Sequence, residues 1–317
     1  MQPAPRRAPL DPPLRIEYPP TLAADAPRRL AAFAYGAPEP GAVAITLPPL
    51  HSAGYECWLG ADIVRRGTLH DAQWAADEQL LIATWQLDEA SYGGIEATAE
   101  AVYRRIGALL ADGGYPHPIK IWHYFGDINA GIGDDERYRR FCVGRARGLP
   151  PGLSLPAATA IGTQTPANVL TVTLIAAREP GLRLENPRQV PAYEYPREYG
   201  PASPSFARAT LAPWGQLFVS GTAAIIGHQS VHRDDAGAQL RELALNLDAL
   251  VARAEQVGGR RLIPQAIKIF VRDAADAAVI DALAAQLFPP GCARLTVRAD
   301  ICRAELKVEV EALYDPA

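Results

Sequence analysis

The chain repeats itself, and the repeat constrains its fold more than any other feature. Gly113-Gly-Tyr-Pro-His-Pro-Ile-Lys-Ile-Trp resembles Gly258-Gly-Arg-Arg-Leu-Ile-Pro-Gln-Ala-Ile-Lys-Ile-Phe. In each copy the Gly-Gly pair suits a helix C-terminus, where glycine reaches the left-handed conformation without a β-carbon penalty. Apolar residues at three- and four-residue spacing predict helices over Gly94 to Leu110 and Leu240 to Val257. A short proline-containing loop then feeds a strand, Ile119 to Trp122 or Ile267 to Phe270. Each copy has a second helical segment, Asp134 to Cys142 and Ala274 to Leu287. Each closes on a strand, Val169 to Ile175 and Leu306 to Ala312. The order β-β-α-β-α-β predicts an α+β chain of two tandem lobes, each a mixed sheet with helices on one face.

A chain of 317 residues, 49% hydrophobic, has the material for two such lobes. The expected division is an N-terminal arm (1–25), a first lobe (26–180), a connector (181–206) and a second lobe (207–317). The proline-rich start carries two arginines and no apolar run after them, so it reads as a loosely docked arm and not a signal peptide. A net charge of -4 and a pI near 5.9 argue against nucleic acid, which needs a basic surface. No apolar run approaches the roughly 20 residues of a membrane span. The four cysteines (57, 142, 292, 302) form no CxxC pair and the six histidines no HxH or HxxxH pair, so neither a disulfide framework nor a metal site is indicated. A reduced, cytoplasmic protein is expected.

Three places invite chemistry. In Leu306-Lys-Val-Glu-Val-Glu-Ala, Leu306, Val308, Val310 and Ala312 share one face and Glu305, Lys307, Glu309 and Glu311 the other. Three carboxylates on one face are either wet or functional. Glu305 and Glu311 read more readily as a solvated outer face. Between the lobes, residues 188–199 carry three tyrosines and two arginines; their prolines exclude a helix, and loops with such cargo often line sites. Leu217-Phe-Val-Ser-Gly-Thr predicts a strand ending at Ser220 and Thr222. No His-Asp pair is spaced around Ser220 as in a serine nucleophile motif, and no GxGxxG or P-loop occurs.

A strand ending in Ser220-Gly221, a helix, an Ile-Lys-Ile-Phe strand, the turn Cys292-Ala-Arg294 and a final Val-Glu-Val-Glu-Ala strand together resemble the YjgF/RidA family. Arg294 and Glu309, fifteen residues apart, match that family's carboxylate-binding arginine and glutamate. The first lobe has Ala157-Ala-Thr159 where the turn belongs and Thr171 or Thr173 in place of the glutamate. Two such lobes, joined by Asn186-Pro-Arg-Gln-Val-Pro-Ala-Tyr-Glu-Tyr-Pro-Arg-Glu-Tyr-Gly-Pro, resemble more narrowly the chorismatase family. Phe141-Cys-Val-Gly-Arg-Ala-Arg-Gly-Leu and Ser220-Gly-Thr-Ala-Ala-Ile-Ile-Gly-His add to the likeness.

The resemblance implies release of pyruvate from chorismate without a cofactor. Family members that make a dihydrodiol hydrolyse the enol ether; those that make 3-hydroxybenzoate expel pyruvate and aromatise the ring through a proposed arene oxide. The second type carries a glycine at the start of the Ser-Gly strand and a cysteine seven residues before the catalytic glutamate, and Gly215 and Cys302 stand there. A 3-hydroxybenzoate-forming enzyme is therefore expected, with some 4-hydroxybenzoate left open. Glu309 is the expected acid, although a free Glu is protonated only about 0.2% of the time at pH 7. Burial and neighbouring carboxylates would raise that fraction. Arg294 would hold one carboxylate and Arg145, in preference to Arg147 and Arg272, the other. Tyr138, Tyr193, Tyr195, Tyr199, Ser220 and Thr222 are candidate substrate contacts, with Arg272 beside them. The competing readings are a dihydrodiol-forming hydrolase, an enamine or imine deaminase, and a non-catalytic binder of aromatic acids. YjgF-like lobes usually form trimers, and a duplication can satisfy part of that surface, so a monomer or a trimer is expected.

Overall fold

A computed structural model describes residues 13–24, 26–36, 38–51, 54–163 and 168–317. Two seven-stranded sheets repeat one topology. The first runs Arg65–Leu69, Ala72–Ala76, Leu80–Asp88, Val169–Ala177, His117–Gly126, Ala157–Thr163, Asp300–Ile301. The second runs Leu182–Leu184, Ala209–Leu211, Leu217–Ala223, Val308–Pro316, Leu262–Val271, Ala293–Arg298, Pro49–His51. Each sheet borrows its last strand from elsewhere: the second lobe lends Asp300–Ile301, and the N-terminal region lends Pro49–His51.

Helices α1 (Ile95–Asp112) and α2 (Arg137–Gly148) cover one face of the first sheet, and α3 (Ala236–Gly258) and α4 (Ala277–Leu287) one face of the second. The glycine pairs do end helices. Gly114 lies at φ 77° just past α1, and Gly259 at φ 66° caps α3. Helix α2 runs six residues beyond the expected Cys142. Gly144 and Gly148 sit so close to α1 that a β-carbon on either would collide with the carbonyl oxygen of Glu96 or Glu100. Close packing overrides their poor helix propensity.

Three expectations need correction. Each lobe has more strands than the predicted order: the segments read as turns at Ala157 and Ala293 are strands, each parallel to the Ile-Lys-Ile strand, and the first lobe adds a further antiparallel strand, Arg65–Leu69, at its edge. The N-terminal stretch is not all a loose arm: Leu14–Glu17 pairs with Tyr55–Gly60 in a four-stranded sheet with Arg29–Tyr35 and Val43–Ile45, and Leu14 is fully buried. Residues 1–12 lie outside the described residues. The terminal strand begins at Val308, so Glu305 and Lys307 precede it.

The helix-free faces of both sheets and the N-terminal sheet enclose one core, in which Trp58, Trp122, Phe218, Phe270 and Leu295 pack together. Trp58 meets Trp122 edge to face at 5.1 Å and stacks on Phe218 at 6.5 Å. Strand alternation decides which side chains reach this seam. Lys268 and Phe270 face it, as do their ladder partners Glu311 and Glu309. Among the described residues no helix is long and apolar enough to cross a membrane.

Candidate active site

Glu309 ends the seam at its open side. Although charged residues are seldom buried, it is only 4% exposed. A cavity of about 710 Å³ opens beside it. The first lobe contributes Asn129 and Tyr138, the connector Tyr195 and Tyr199, and the second lobe Arg208, Cys302, Arg303 and Glu309. The volume suits a small organic ligand.

A bulge makes room for Glu309. The ladder between Leu217–Ala223 and Val308–Pro316 slips between Val219 and Thr222, leaving Ser220 and Gly221 out of register. The Gly221 N–H turns across the lobe boundary to donate to Thr159 Oγ1 at 3.0 Å. A β-carbon at Gly221 would collide with Glu309 Oε1. This glycine gives the carboxyl its space. Gly215 sits in the turn after Trp214 at φ +95°, against Pro316, at the far end of the same strand.

Burial, and after it the charge of Glu311, raises the Glu309 pKa to about 8, against the opposing pull of Lys120, Arg208 and Arg272. The carboxyl is therefore protonated at neutral pH. Burial, and next the neighbouring Glu309, pushes the Cys302 thiol well above its usual range. Cys302 faces the cavity as a neutral thiol.

The expected site residues separate into two groups. Glu309, Cys302, Tyr138, Tyr195 and Tyr199 line the cavity. Arg294 does not, because it pairs with Ile267 on the helix-covered face of the sheet and is exposed, whereas Glu309 projects from the opposite face. Arg145 is 2% exposed inside the first lobe, with its guanidinium 5.1 Å from the Tyr103 ring. Arg272 holds the loop that presents Cys302, donating to Asp300 and to the carbonyls of Ile301, Arg303 and Leu306. Tyr193 stacks under Arg183. Ser220 Oγ accepts from the Ala158 N–H at 2.8 Å and donates to the Ala207 carbonyl. Thr222 Oγ1 donates to the Ser220 carbonyl at 2.9 Å. These last two hydroxyls are occupied in holding the bulge and the lobe boundary.

The arginines that do face the cavity were missed. Arg208 is 4% exposed; its Nη2 donates to Tyr195 Oη at 2.6 Å and to the Val190 carbonyl at 3.0 Å, and its Nε has no partner. Arg303 lies 4.1 Å over the Tyr199 ring and donates from Nη1 to the His228 carbonyl and Ser230 Oγ. Asn129 has both side-chain polar atoms buried and unpartnered at the cavity wall. Glu311, expected on a wet face, is 6% exposed and fully engaged within the seam. The available signal was a lysine inside each apolar Ile-Lys-Ile strand, because such a strand buries its charge only against a partner.

A protonated carboxyl in a cavity that also presents guanidinium groups, lined by two lobes and a connector, is an acid site suited to an anionic ligand. The model for the N-terminal region of FkbO/Hyg5-like chorismatases matches residues 56–176. The chain is 36% identical over 237 residues to a 3-hydroxybenzoate synthase of Streptomyces hygroscopicus, covering 69% of each. It is 35% identical over 277 residues to a chorismatase of Streptomyces rapamycinicus, covering 81% of each. A solved chorismatase structure matches with a TM-score of 0.83 at 28% identity, covering 95% of this chain and 98% of that one. The chain belongs to the chorismatase family.

Proposed function

We propose that the protein converts chorismate to pyruvate and 3-hydroxybenzoate, with Glu309 as the general acid. The observation that carries this reading is the buried, protonated carboxyl of Glu309 at the wall of a cavity that also presents Arg208 and Arg303. Chorismate has two carboxylates and an acid-labile enol ether. Arg208 and Arg303 bind the carboxylates, since a guanidinium matches that group in planar, charge-assisted fashion. Asn129 meets a ring hydroxyl with its free donor and acceptor.

Glu309 gives its proton to the terminal methylene of the enolpyruvyl group. The alkene electron pair forms the new C–H bond and leaves an oxocarbenium ion at the ether carbon. That carbon takes oxygen from water, or from the ring hydroxyl, whose own bond to the ring then breaks, and its bond to the ether oxygen breaks to free pyruvate. Chorismate equals 3-hydroxybenzoate plus pyruvate in atoms and electrons, so any water used is returned when the ring dehydrates. The Glu309 carboxylate accepts the proton lost on aromatisation. In this scheme the first lobe (26–180) and the connector (181–206) supply walls, and the second lobe (207–317) the acid.

Cys302, a neutral thiol beside Glu309, steers the ring chemistry as a donor and as bulk. Cys302→Ala is expected to shift product from 3-hydroxybenzoate toward the dihydrodiol while pyruvate release continues. Chromatography of the products checks this; an unchanged ratio removes Cys302 from product choice. Because one chain supplies every wall of the cavity, a monomer suffices as the active unit. The free thiols of Cys57, Cys142, Cys292 and Cys302 support a reducing compartment such as the cytoplasm. The direct test of the function is incubation of the purified protein with chorismate. Pyruvate and 3-hydroxybenzoate in equal amounts are expected. A dihydrodiol alone would overturn the product, and no pyruvate the activity.

A further inference from the structure

Four charged side chains meet in the seam behind Glu309. Lys120 and Lys268 occupy the same position of the repeated Ile-Lys-Ile strand, and each is 2% exposed. Lys268 Nζ lies 2.7 Å from Glu56 and 2.8 Å from Glu311, and Lys120 Nζ lies 3.3 Å from Glu311. Two cations thus face two carboxylates, and the group sums to zero. Glu311 also accepts hydrogen bonds from Trp122 Nε1 and Thr159 Oγ1, each at 2.7 Å. With all its neighbours donating, Glu311 is fixed as a carboxylate. Glu309 stands two residues earlier on the same strand face, about 7 Å away by strand geometry. Neither seam lysine is left without a carboxylate partner of its own, so ionising Glu309 would add an unmatched negative charge.

We propose that Glu311 is a positioning residue for the reaction: it is the fixed charge that keeps a proton on Glu309, and the repeat-related Lys120 and Lys268 keep it ionised. The proposal rests on the reading of Glu309 as the acid. Other groups around Glu309 contribute as follows. Lys120 from the first lobe, Arg208 from the start of the second lobe and Arg272 from the end of Leu262–Val271 favour the ionised form. Tyr138 on α2 and Cys302 are neutral neighbours. Arg303 and Glu305, on the preceding loop, bring opposite charges to the same cavity. Burial raises Glu309 together with Glu311. Burial would raise Glu311 too, but Lys268 and Lys120 overcome it and hold that group at about 2.

The test uses the full chain and two substitutions with opposite expected signs. Carboxyl ¹³C NMR follows the titration of Glu309 in the ligand-free protein, its signal assigned by its loss in Glu309→Gln. Glu311→Gln removes the fixed negative charge and should lower the midpoint by about one pH unit or more. Lys120→Met removes a cation while Lys268 still holds Glu311, and should raise the midpoint. The alkaline limb of kcat/KM should move with each midpoint. Opposite shifts support the proposal; unmoved midpoints, or shifts of one sign, overturn it. Circular dichroism checks folding, and if Glu311→Gln does not fold, Lys120→Met decides alone: a raised midpoint supports the proposal and an unmoved one overturns it. Turnover of chorismate with unmoved midpoints overturns this proposal alone. Opposite shifts without any turnover by the unmodified protein overturn the catalytic reading beneath it.

Discussion

At the residue scale, burying Glu309 costs the fold stability as pH rises. The folded protein holds its proton up to about pH 8, whereas an unfolded chain releases it near the ordinary carboxyl value of about 4.3. Between those values the folded state binds more protons, so its stability falls as pH rises. Glu309→Gln has no such proton to release. The variant should lose about 10²-fold or more in kcat, within the usual range for a general acid, yet gain in melting temperature, by more at pH 8 than at pH 5. A variant that loses both activity and stability would mark Glu309 as structural. Gly221→Ala should also abolish turnover, because the new β-carbon takes the place of the Glu309 carboxyl; full activity would contradict the geometry. Glu309 and Cys302 were legible from the resemblance and their spacing. Gly221 was not: its need for space arises from a bulge, and a one-residue slip in a ladder leaves no mark in composition or alternation.

At the element scale, the loop between Asp300 and Leu306 positions Cys302 and Arg303, and Arg272 holds it. Arg272 donates to Asp300 at 2.8 Å and to three loop carbonyls at 2.9 to 3.0 Å. Arg272→Met takes one donor away from each of these part-buried acceptors, at a cost of about 0.5 to 1.5 kcal/mol per hydrogen bond. It should raise KM for chorismate more than it lowers kcat, since the substrate arginine moves and the acid stays. Steady-state kinetics with a urea melt checks this, and an unchanged KM would free the loop from Arg272. Arg294 shows what alternation could have told. In Ala293-Arg-Leu-Thr-Val-Arg the apolar Leu295 and Val297 enter the common core, so Arg294 must face the other way. Reading that segment as a turn hid the rule. Helices α1 and α3 were legible from their periodicity, and α2 and α4 were expected as the second helix of each copy. The C-terminal half of α2 was not, because Gly144 and Gly148 fit only through a neighbour far away in sequence.

At the scale of the whole molecule, the duplication explains both what was legible and what was not. Two sheets with helices on one face each follow from the repeated pattern, and their helix-free faces then have to be buried against something. What buries them involves residues far apart in sequence: the N-terminal sheet, the exchanged strands at Pro49 and Asp300, and the lysines at 120 and 268. The two lobes have diverged around one ladder position. Glu309 opposite Phe270 corresponds to Thr173 opposite Trp122, so one copy keeps an acid where the other keeps a hydroxyl. Lys120 and Thr159 of the first lobe both contact Glu311 of the second, two residues from Glu309, so both lobes set the surroundings of that carboxyl. The most direct measurement is kcat/KM for chorismate against pH, which reports groups of the free protein. Glu309, with Lys120 beside it lowered by burial to about 8, should set the alkaline limb. A plateau through neutrality that bends near pH 8, then falls tenfold per pH unit, is expected. A decline beginning near the ordinary carboxyl pKa, or a profile still flat well above pH 8, would contradict a buried, protonated Glu309 as the acid.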